Sequence, residues 1–86
     1  THFLSLSSFL SFLRTYNTHN AAVQGQNDRI LNYIPNEYQC SVACSNERNF
    51  YCASFEYAAA SQKCVLSRGV APVINTAWGW NLYIRK

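Results

Sequence analysis

The spacing of four cysteines within residues 40–64 constrains the fold of this 86-residue chain more than any other feature. Cys40, Cys44, Cys52 and Cys64 follow the pattern C-x3-C-x7-C-x11-C. Because helical residues four positions apart share a side, the first two thiols are expected to leave one face of a helix. The other two fall in separate strand-like runs. The pattern therefore predicts a helix tied covalently to a β-hairpin, and by itself it allows three disulfide pairings.

The cysteines are expected to form disulfides in an oxidising compartment. An even number of cysteines in so short a chain is typical of secreted domains, whose small cores often need covalent support. The alternative is a zinc site made of all four thiolates. Such sites favour two close pairs of cysteines, whereas Cys52 and Cys64 stand twelve positions apart. Disulfides are therefore the preferred interpretation.

Residue type and period predict the rest of the secondary structure. Asn36 is suited to be a helix N-cap with Gln39 as its capping-box partner, and the helix is expected to end near residues 45–46. Strand formers and loop formers alternate along the remainder of the chain. The predicted strands are residues 29–34, 50–57, 62–67 and 78–84, and the predicted loops are residues 17–28 and a segment that opens at residues 68–69.

Alternation along residues 50–57 assigns the side chains of this run to two faces. Cys52 has to face the helix to form a bridge, so Phe50 and Glu56 are predicted on the helix side and Phe55 on the other side. The fold class that follows is α+β, an antiparallel β-sheet of about four to five strands with one α-helix packed on it.

The residues around the cysteines resemble the PAN/apple domain family, in the four-cysteine form found at the front of plasminogen and of hepatocyte growth factor. The motifs that carry the resemblance are the helical C-x3-C, Tyr51-Cys52, Ser54-Phe55-x-Tyr57, Lys63-Cys64-x-Leu66, the lead-in Gly25-x-Asn27-Asp28-x-Ile30-Leu31, and the final run Asn81-Leu82-Tyr83-Ile84-Arg85-Lys86.

This resemblance implies the bridges Cys40–Cys64 and Cys44–Cys52, which would clip the helix to the central hairpin. It also favours a strand over residues 8–16. We expect the domain itself to span residues 12–86, with residues 1–11 as a lead-in strand or a remnant of a signal segment. The family further implies non-catalytic adhesion, through protein contacts in most members and through carbohydrate or heparin-like ligands in some.

No pattern of catalytic or cofactor-binding residues appears in the sequence. It lacks a nucleophile elbow, a glycine-rich phosphate loop and the H-E-x-x-H metal motif. The carboxylates of Asp28, Glu37, Glu47 and Glu56 lie in no motif and are expected on the solvated surface. The chain is therefore not expected to be an enzyme, and neither a cofactor nor a metal is expected.

Exposed aromatic and charged side chains on a rigid scaffold are the expected means of binding. The candidates for partner contact are Tyr38, Arg48, Arg68, Lys63, Trp78 and Trp80. Each has a plainer interpretation as well: the two tryptophans share one face of the predicted last strand and can pack on the sheet, and the cations can be ordinary solvated charge. Tyr38 and Arg48 are expected to flank one patch beside the helix.

A protein partner or self-association is the expected interaction, with a glycan or heparin-like polysaccharide as the alternative. The amides of Asn17, Asn20, Gln24, Gln26 and Asn27 could serve a glycan site. The net charge is +3 and the basic residues are scattered, so no nucleic-acid footprint is visible. No stretch is long enough to span a membrane. We take the chain as one module of a larger secreted or cell-surface protein.

Overall fold

The computed structural model describes residues 16–25 and 27–85. The predicted strand over residues 8–16 and the proposed lead-in over residues 1–11 fall almost entirely outside the described residues. Within them the chain forms one helix and seven strands. In chain order these are β1 Tyr16–His19, β2 Ala22–Val23, β3 Arg29–Leu31, α1 Glu37–Asn46, β4 Ser54–Ala58, β5 Lys63–Ser67, β6 Val73–Ile74 and β7 Asn81–Ile84.

Five of the strands form one antiparallel sheet in the order β1-β7-β4-β5-β3, and β2 pairs with β6 in a separate two-stranded ribbon. Strand β4 lies at the centre, where Glu56 is opposite Val65 of β5 and Leu82 of β7. Helix α1 packs against β4 and β5. The prediction of an α+β fold with one helix on an antiparallel sheet is confirmed, and the ribbon is an addition to it.

The helix begins where its sequence predicts. The Oδ1 atom of Asn36 accepts a hydrogen bond of 2.9 Å from the backbone N–H of Gln39, so it satisfies one of the free donors of the first turn. At the other end Glu47 leaves the helical conformation, and its N–H donates to the carbonyl oxygen of Cys44.

Two disulfides tie the helix to the sheet region, and the pairing implied by the family resemblance is confirmed. Cys40 is bonded to Cys64 of β5, and Cys44 is bonded to Cys52. All four sulfur atoms lie in the core, so the bridges stand between the helix and the sheet. The alternative of a zinc site made of all four thiolates is excluded, because every cysteine is in a disulfide.

The main core lies between α1 and the sheet. Its buried side chains come from the helix, from the three central strands and from the bridges: Cys40, Cys44, Cys52, Phe55, Tyr57, Cys64, Leu66 and Tyr83. The rings of Phe55 and Tyr83 stack with centroids 4.7 Å apart. The hydroxyl of Tyr57 donates a hydrogen bond of 2.6 Å to the carbonyl oxygen of Ile34.

The prediction for the faces of the 50–57 run is wrong. Strand β4 starts only at Ser54, and Cys52 lies in the irregular segment before it. The alternation of the strand therefore does not extend back to Cys52. Phe55 faces the helix together with Cys52, and Glu56 points to the opposite face of the sheet, whereas Phe50 does pack on the helix-side core as expected.

Two further element boundaries differ from the prediction. The predicted loop 17–28 contains β1 and β2, because these short segments pair with β7 and β6, which are distant in sequence. The predicted closing strand starts at Asn81 rather than at Trp78. Residues 78–79 form a turn in which Gly79 has a φ of 88°, and its N–H donates to the Oδ1 atom of Asn20.

Candidate binding cleft

The sheet face that points away from the helix is only partly covered. The β2–β6 ribbon and the segment before β7 pack on it through a small second core of Ala21, Val23 and Leu82. Between the ribbon and the sheet there remains a cleft of about 330 Å³. Its lining residues are Ala22, Val23, Gln24, Gly25, Asn27, Ile30, Glu56, Lys63, Val65, Ile74, Ala77 and Trp80.

A buried carboxylate lies within this mainly apolar cleft. Glu56 is only 4% exposed although it belongs to the central strand of the sheet. Its Oε2 atom accepts a hydrogen bond of 2.7 Å from the backbone N–H of Val23 on the ribbon. This bond joins the ribbon to the sheet across the cleft.

Burial raises the pKa of the Glu56 carboxyl from its ordinary value of 4.5 to about 7, because the charged form loses hydration. The hydrogen bond from Val23 N–H stabilises the charged form and opposes part of this rise in pKa. Glu56 thus changes its charge close to neutral pH, and the expectation that it lies on the solvated surface is wrong. The same expectation fails for the side chain of Glu47, which is 3% exposed and paired with Arg29.

Replacing Glu56 by glutamine should stabilise the domain at pH 8 and leave its stability unchanged at pH 4. The folded state holds a proton on Glu56 more tightly than the unfolded state does, so folding stability falls as the pH rises from about 4.5 to about 7. Glutamine keeps an acceptor for Val23 N–H without the charge. Solvent in the cleft screens the carboxylate, so we expect a gain of about 1–2 kcal/mol at pH 8, measured by urea unfolding.

The control for this experiment is Glu47→Gln. It removes a carboxylate that pairs with Arg29 and accepts a hydrogen bond from Asn49 N–H, so it should lower stability at pH 8. A gain for Glu56→Gln that is the same at pH 4 and pH 8 would contradict the assignment of the burial cost to the charged form.

Two of the residues predicted for partner contact line the cleft. Lys63, at the start of β5, is exposed at its edge, and Trp80 is half-buried within it. Trp78 does not line the cleft but follows Ala77, which does, and its side chain is 75% exposed. The two tryptophans precede β7 and do not share a strand face, so that part of the prediction is wrong.

The other predicted residues lie elsewhere. Arg48 is exposed beside a second cleft of about 310 Å³ near the end of α1. Tyr38 is half-buried in the first turns of the helix. Arg68 forms an ion pair with Asp28 at 3.2 Å and lies over the ring of Phe50. The structure therefore brings together Lys63 and Trp80 but does not group Tyr38, Arg48 and Arg68 with them.

Glu56 is a site residue that the sequence did not predict. The one available signal was the position of a charged residue inside the strand run Ser54-Phe55-Glu56-Tyr57-Ala58. Alternation permits a charge on the solvent side of a strand, so this signal did not distinguish a buried carboxylate from an exposed one.

The sequence model of the PAN domain matches residues 14–76. The chain belongs to the PAN domain family. No curated protein sequence matches it. The two bridges and the helix-on-sheet fold are consistent with this family, so the resemblance noted from the cysteine motifs is confirmed.

PAN domains are often involved in protein or carbohydrate interactions and are generally non-catalytic binding modules. In the described part of this PAN domain, no three His, Cys, Asp or Glu side chains come close enough to hold a metal ion. The same residues include no helix with the length and apolar character needed to cross a membrane. The polar side chains among the described lining residues are the amides of Gln24 and Asn27, the ammonium group of Lys63, the carboxyl group of Glu56 and the indole N–H of Trp80, and the other lining residues are mainly apolar.

Proposed function

We propose that this PAN domain is a non-catalytic extracellular module that binds a protein partner through the cleft on the sheet face opposite the helix. The observation that carries the proposal is the cleft itself, a concave surface with apolar walls and few polar groups, which is the usual character of a binding site. Ile30 and Trp80 line it, and exposed Trp78 lies next in sequence to its wall. Large exposed apolar side chains of this kind mark interaction surfaces.

The disulfide frame supports such a role because it lies directly behind the cleft. Strand β4 carries Phe55 and Tyr57 towards the bridges on one face and Glu56 into the cleft on the other. A surface held in place before binding loses little conformational entropy when the partner arrives. PAN domains with disulfides are typical of extracellular proteins, which agrees with the proposed compartment.

A heparin-like polyanion is less well supported than a protein. Two of the described cations are already neutralised, since Arg29 pairs with Glu47 and Arg68 pairs with Asp28. Among the residues that the structure describes, Lys63 is the one cation that lines the cleft, which also holds the Glu56 carboxyl. This arrangement offers no cluster of positive charge to a polyanion.

A neutral glycan is the second candidate ligand, and one observation favours it. The amides of Gln24 and Asn27, two of the five amides that could serve a glycan site, line the cleft together with Trp80. Amides that hydrogen-bond hydroxyl groups beside an aromatic ring suit a sugar as well as a peptide. The surface beside the helix, with Tyr38 and Arg48, also stays a prediction.

Random peptides displayed on phage and selected on the domain should yield binders whose affinity depends on the cleft. We expect Trp80→Ala to weaken such a peptide at least tenfold, about 1.4 kcal/mol, because Trp80 is the one aromatic residue among the described residues that line the cleft. Tyr51→Ala, which removes an exposed aromatic ring outside the cleft, is the matched control and should leave affinity unchanged. The measurement is titration calorimetry, with the melting temperature of each variant recorded.

Three results would overturn this assignment. Peptides that lose affinity with Arg48→Glu or Tyr38→Ala, but not with Trp80→Ala, would move the interface to the helix surface. Binding on a glycan array that depends on Gln24 and Asn27, with no peptide selected, would make the domain a lectin. A selection that yields neither peptide nor glycan binders would remove the proposed function.

A further inference from the structure

The carboxylate of Glu56 in the cleft accepts a hydrogen bond from the domain at only one of its two oxygen atoms. Val23 N–H binds Oε2 of Glu56, but no residue among 16–25 and 27–85 donates a hydrogen bond to Oε1. Oε1 is not one of the enclosed side-chain atoms that lack a partner, so it is open to the cleft. A carboxylate that is 96% buried and still has a free acceptor facing a cavity is suited to a donor supplied from outside.

We infer that the cleft receives a basic side chain, lysine or arginine, of the protein partner and that Glu56 binds its ammonium or guanidinium group. This inference rests on the proposed function and names the chemistry that the cleft selects. The argument is charge complementarity at an apolar site: an ionised carboxylate in such surroundings gains most from a cation that is also removed from water.

The walls of the cleft match the remainder of such a side chain. Ile30, Val65 and Ile74 supply aliphatic surface for the methylene groups, which lysine and arginine bury readily while their charged end finds a polar partner. The ring of Trp80 lines the same cleft, and an aromatic face attracts a cation. A sugar could use the amides and the ring of Trp80 but would gain little from the aliphatic side chains of Ile30, Val65 and Ile74.

The positive charge of Lys63 should repel a cation bound at Glu56, and this repulsion gives a second prediction about the same site. Its backbone lies beside Ala58, two residues along β4 from Glu56, and its ammonium group forms no ion pair with Glu56 within 4.0 Å. The side chain is exposed and can turn into solvent. Removing its charge with Lys63→Gln should therefore strengthen cation binding, by about two- to fivefold for a partly screened repulsion.

Binding of a cation should strengthen as Glu56 ionises. Among the described residues that line the cleft, only Lys63 of β5 and Glu56 of β4 carry ionisable side chains. The carboxyl of Glu56 is mainly protonated at pH 5 and mainly ionised at pH 8, because its pKa is about 7. Affinity should therefore rise at least tenfold between these two pH values.

The experiment is a titration of the 86-residue chain with n-butylguanidinium and n-butylammonium chloride at millimolar concentrations, followed by ¹H–¹⁵N NMR. Val23 N–H is the direct reporter because it is bonded to Glu56. n-Butanol is the matched uncharged probe. We expect Val23 and other cleft amides to shift with both cations at pH 8, to shift at least tenfold more weakly with n-butanol, and to lose the response in Glu56→Gln.

Glu37→Gln is the control variant, since it removes a carboxylate of α1 outside the cleft and should leave cation binding unchanged. Equal binding to wild type and Glu56→Gln, equal binding of n-butanol, or shifts confined to the helix would overturn the inference. An absence of any binding at pH 8 would overturn it too. These failures are distinct from failure of the proposed function, because selected peptides could still bind through Trp80 without a basic side chain.

Discussion

Replacing both Cys40 and Cys64 by alanine should lower the free energy of unfolding by about 3.5 kcal/mol, and replacing both Cys44 and Cys52 should lower it by about 2.5 kcal/mol. The difference follows from the loop that each bridge closes in the unfolded chain. The bridged cysteines are 24 positions apart in the first pair and 8 in the second. A longer loop restricts the unfolded chain more, so the loss of its bridge costs more stability.

Urea unfolding of the two double variants will show which of them loses more free energy of unfolding. Both variants keep the apolar contacts of α1 with the sheet, so both should fold, but the first is expected to be close to the limit of stability for so small a domain. The m-value should rise in both variants because the unfolded chain becomes less compact. A smaller loss for the Cys40–Cys64 pair than for the Cys44–Cys52 pair would show that strain or residual structure outweighs loop length.

Replacing Phe55 by alanine should cost about 3–5 kcal/mol, the largest loss that we expect of any single substitution. Phe55 is fully buried on the central strand and stacks on Tyr83, so the change removes a large apolar contact and leaves a cavity between α1 and the sheet. Urea or thermal unfolding will measure the loss, and the variant is expected to be mostly unfolded at 37 °C.

Trp78→Ala is the matched control for Phe55→Ala. It also deletes a large aromatic ring, but the ring of Trp78 is 75% exposed, so stability should change by less than about 0.5 kcal/mol. Similar losses for the two variants would mean that Trp78 contributes packing that its exposure does not indicate. That result would also weaken the use of Trp78 as a marker of the binding surface.

The two faces of β4 connect these stability predictions with the proposed function. Phe55 belongs to the disulfide-bridged core, and Glu56, the next residue, belongs to the cleft. The helix-side core therefore fixes the strand that carries the buried carboxylate. A substitution that loosens the core should also weaken cation binding at Glu56, whereas Trp80→Ala should weaken binding with less effect on the core.

Local features of the sequence determined a good part of the fold. The spacing of Cys40 and Cys44 defines one helical face, and Asn36 defines the start of the helix, because both effects act within one or two turns of backbone. The hairpin of β4 and β5 follows from strand formers on either side of a short turn. The cysteine motifs identified the family, although the spacing alone left the pairing of the bridges open.

Prediction from the sequence failed where the conformation of a residue depends on contacts with residues distant in the chain. Residues 17–23 have the composition of a loop, yet they form β1 and part of the ribbon because β7 and β6 offer them free backbone groups. Alternation also gave the wrong face for Phe55 and Glu56, because it was counted from Cys52, which lies outside the strand. The residue types of a short segment do not predict which distant strand its backbone will pair with.

The sequence by itself determined the helix with its cap and the central hairpin, because these depend on spacing and on backbone hydrogen bonds between near neighbours. The pairing of the four cysteines followed from the resemblance to the family. Only the tertiary structure decided that Glu56 is buried and that a cleft exists. Both depend on the β2–β6 ribbon folding over the second face of the sheet, where Val23 N–H binds the carboxylate from 33 positions away. Whether a carboxylate is exposed or buried depends on which other segments of the chain pack over it. The alternation of side chains along one strand does not show whether another segment covers that face of the sheet.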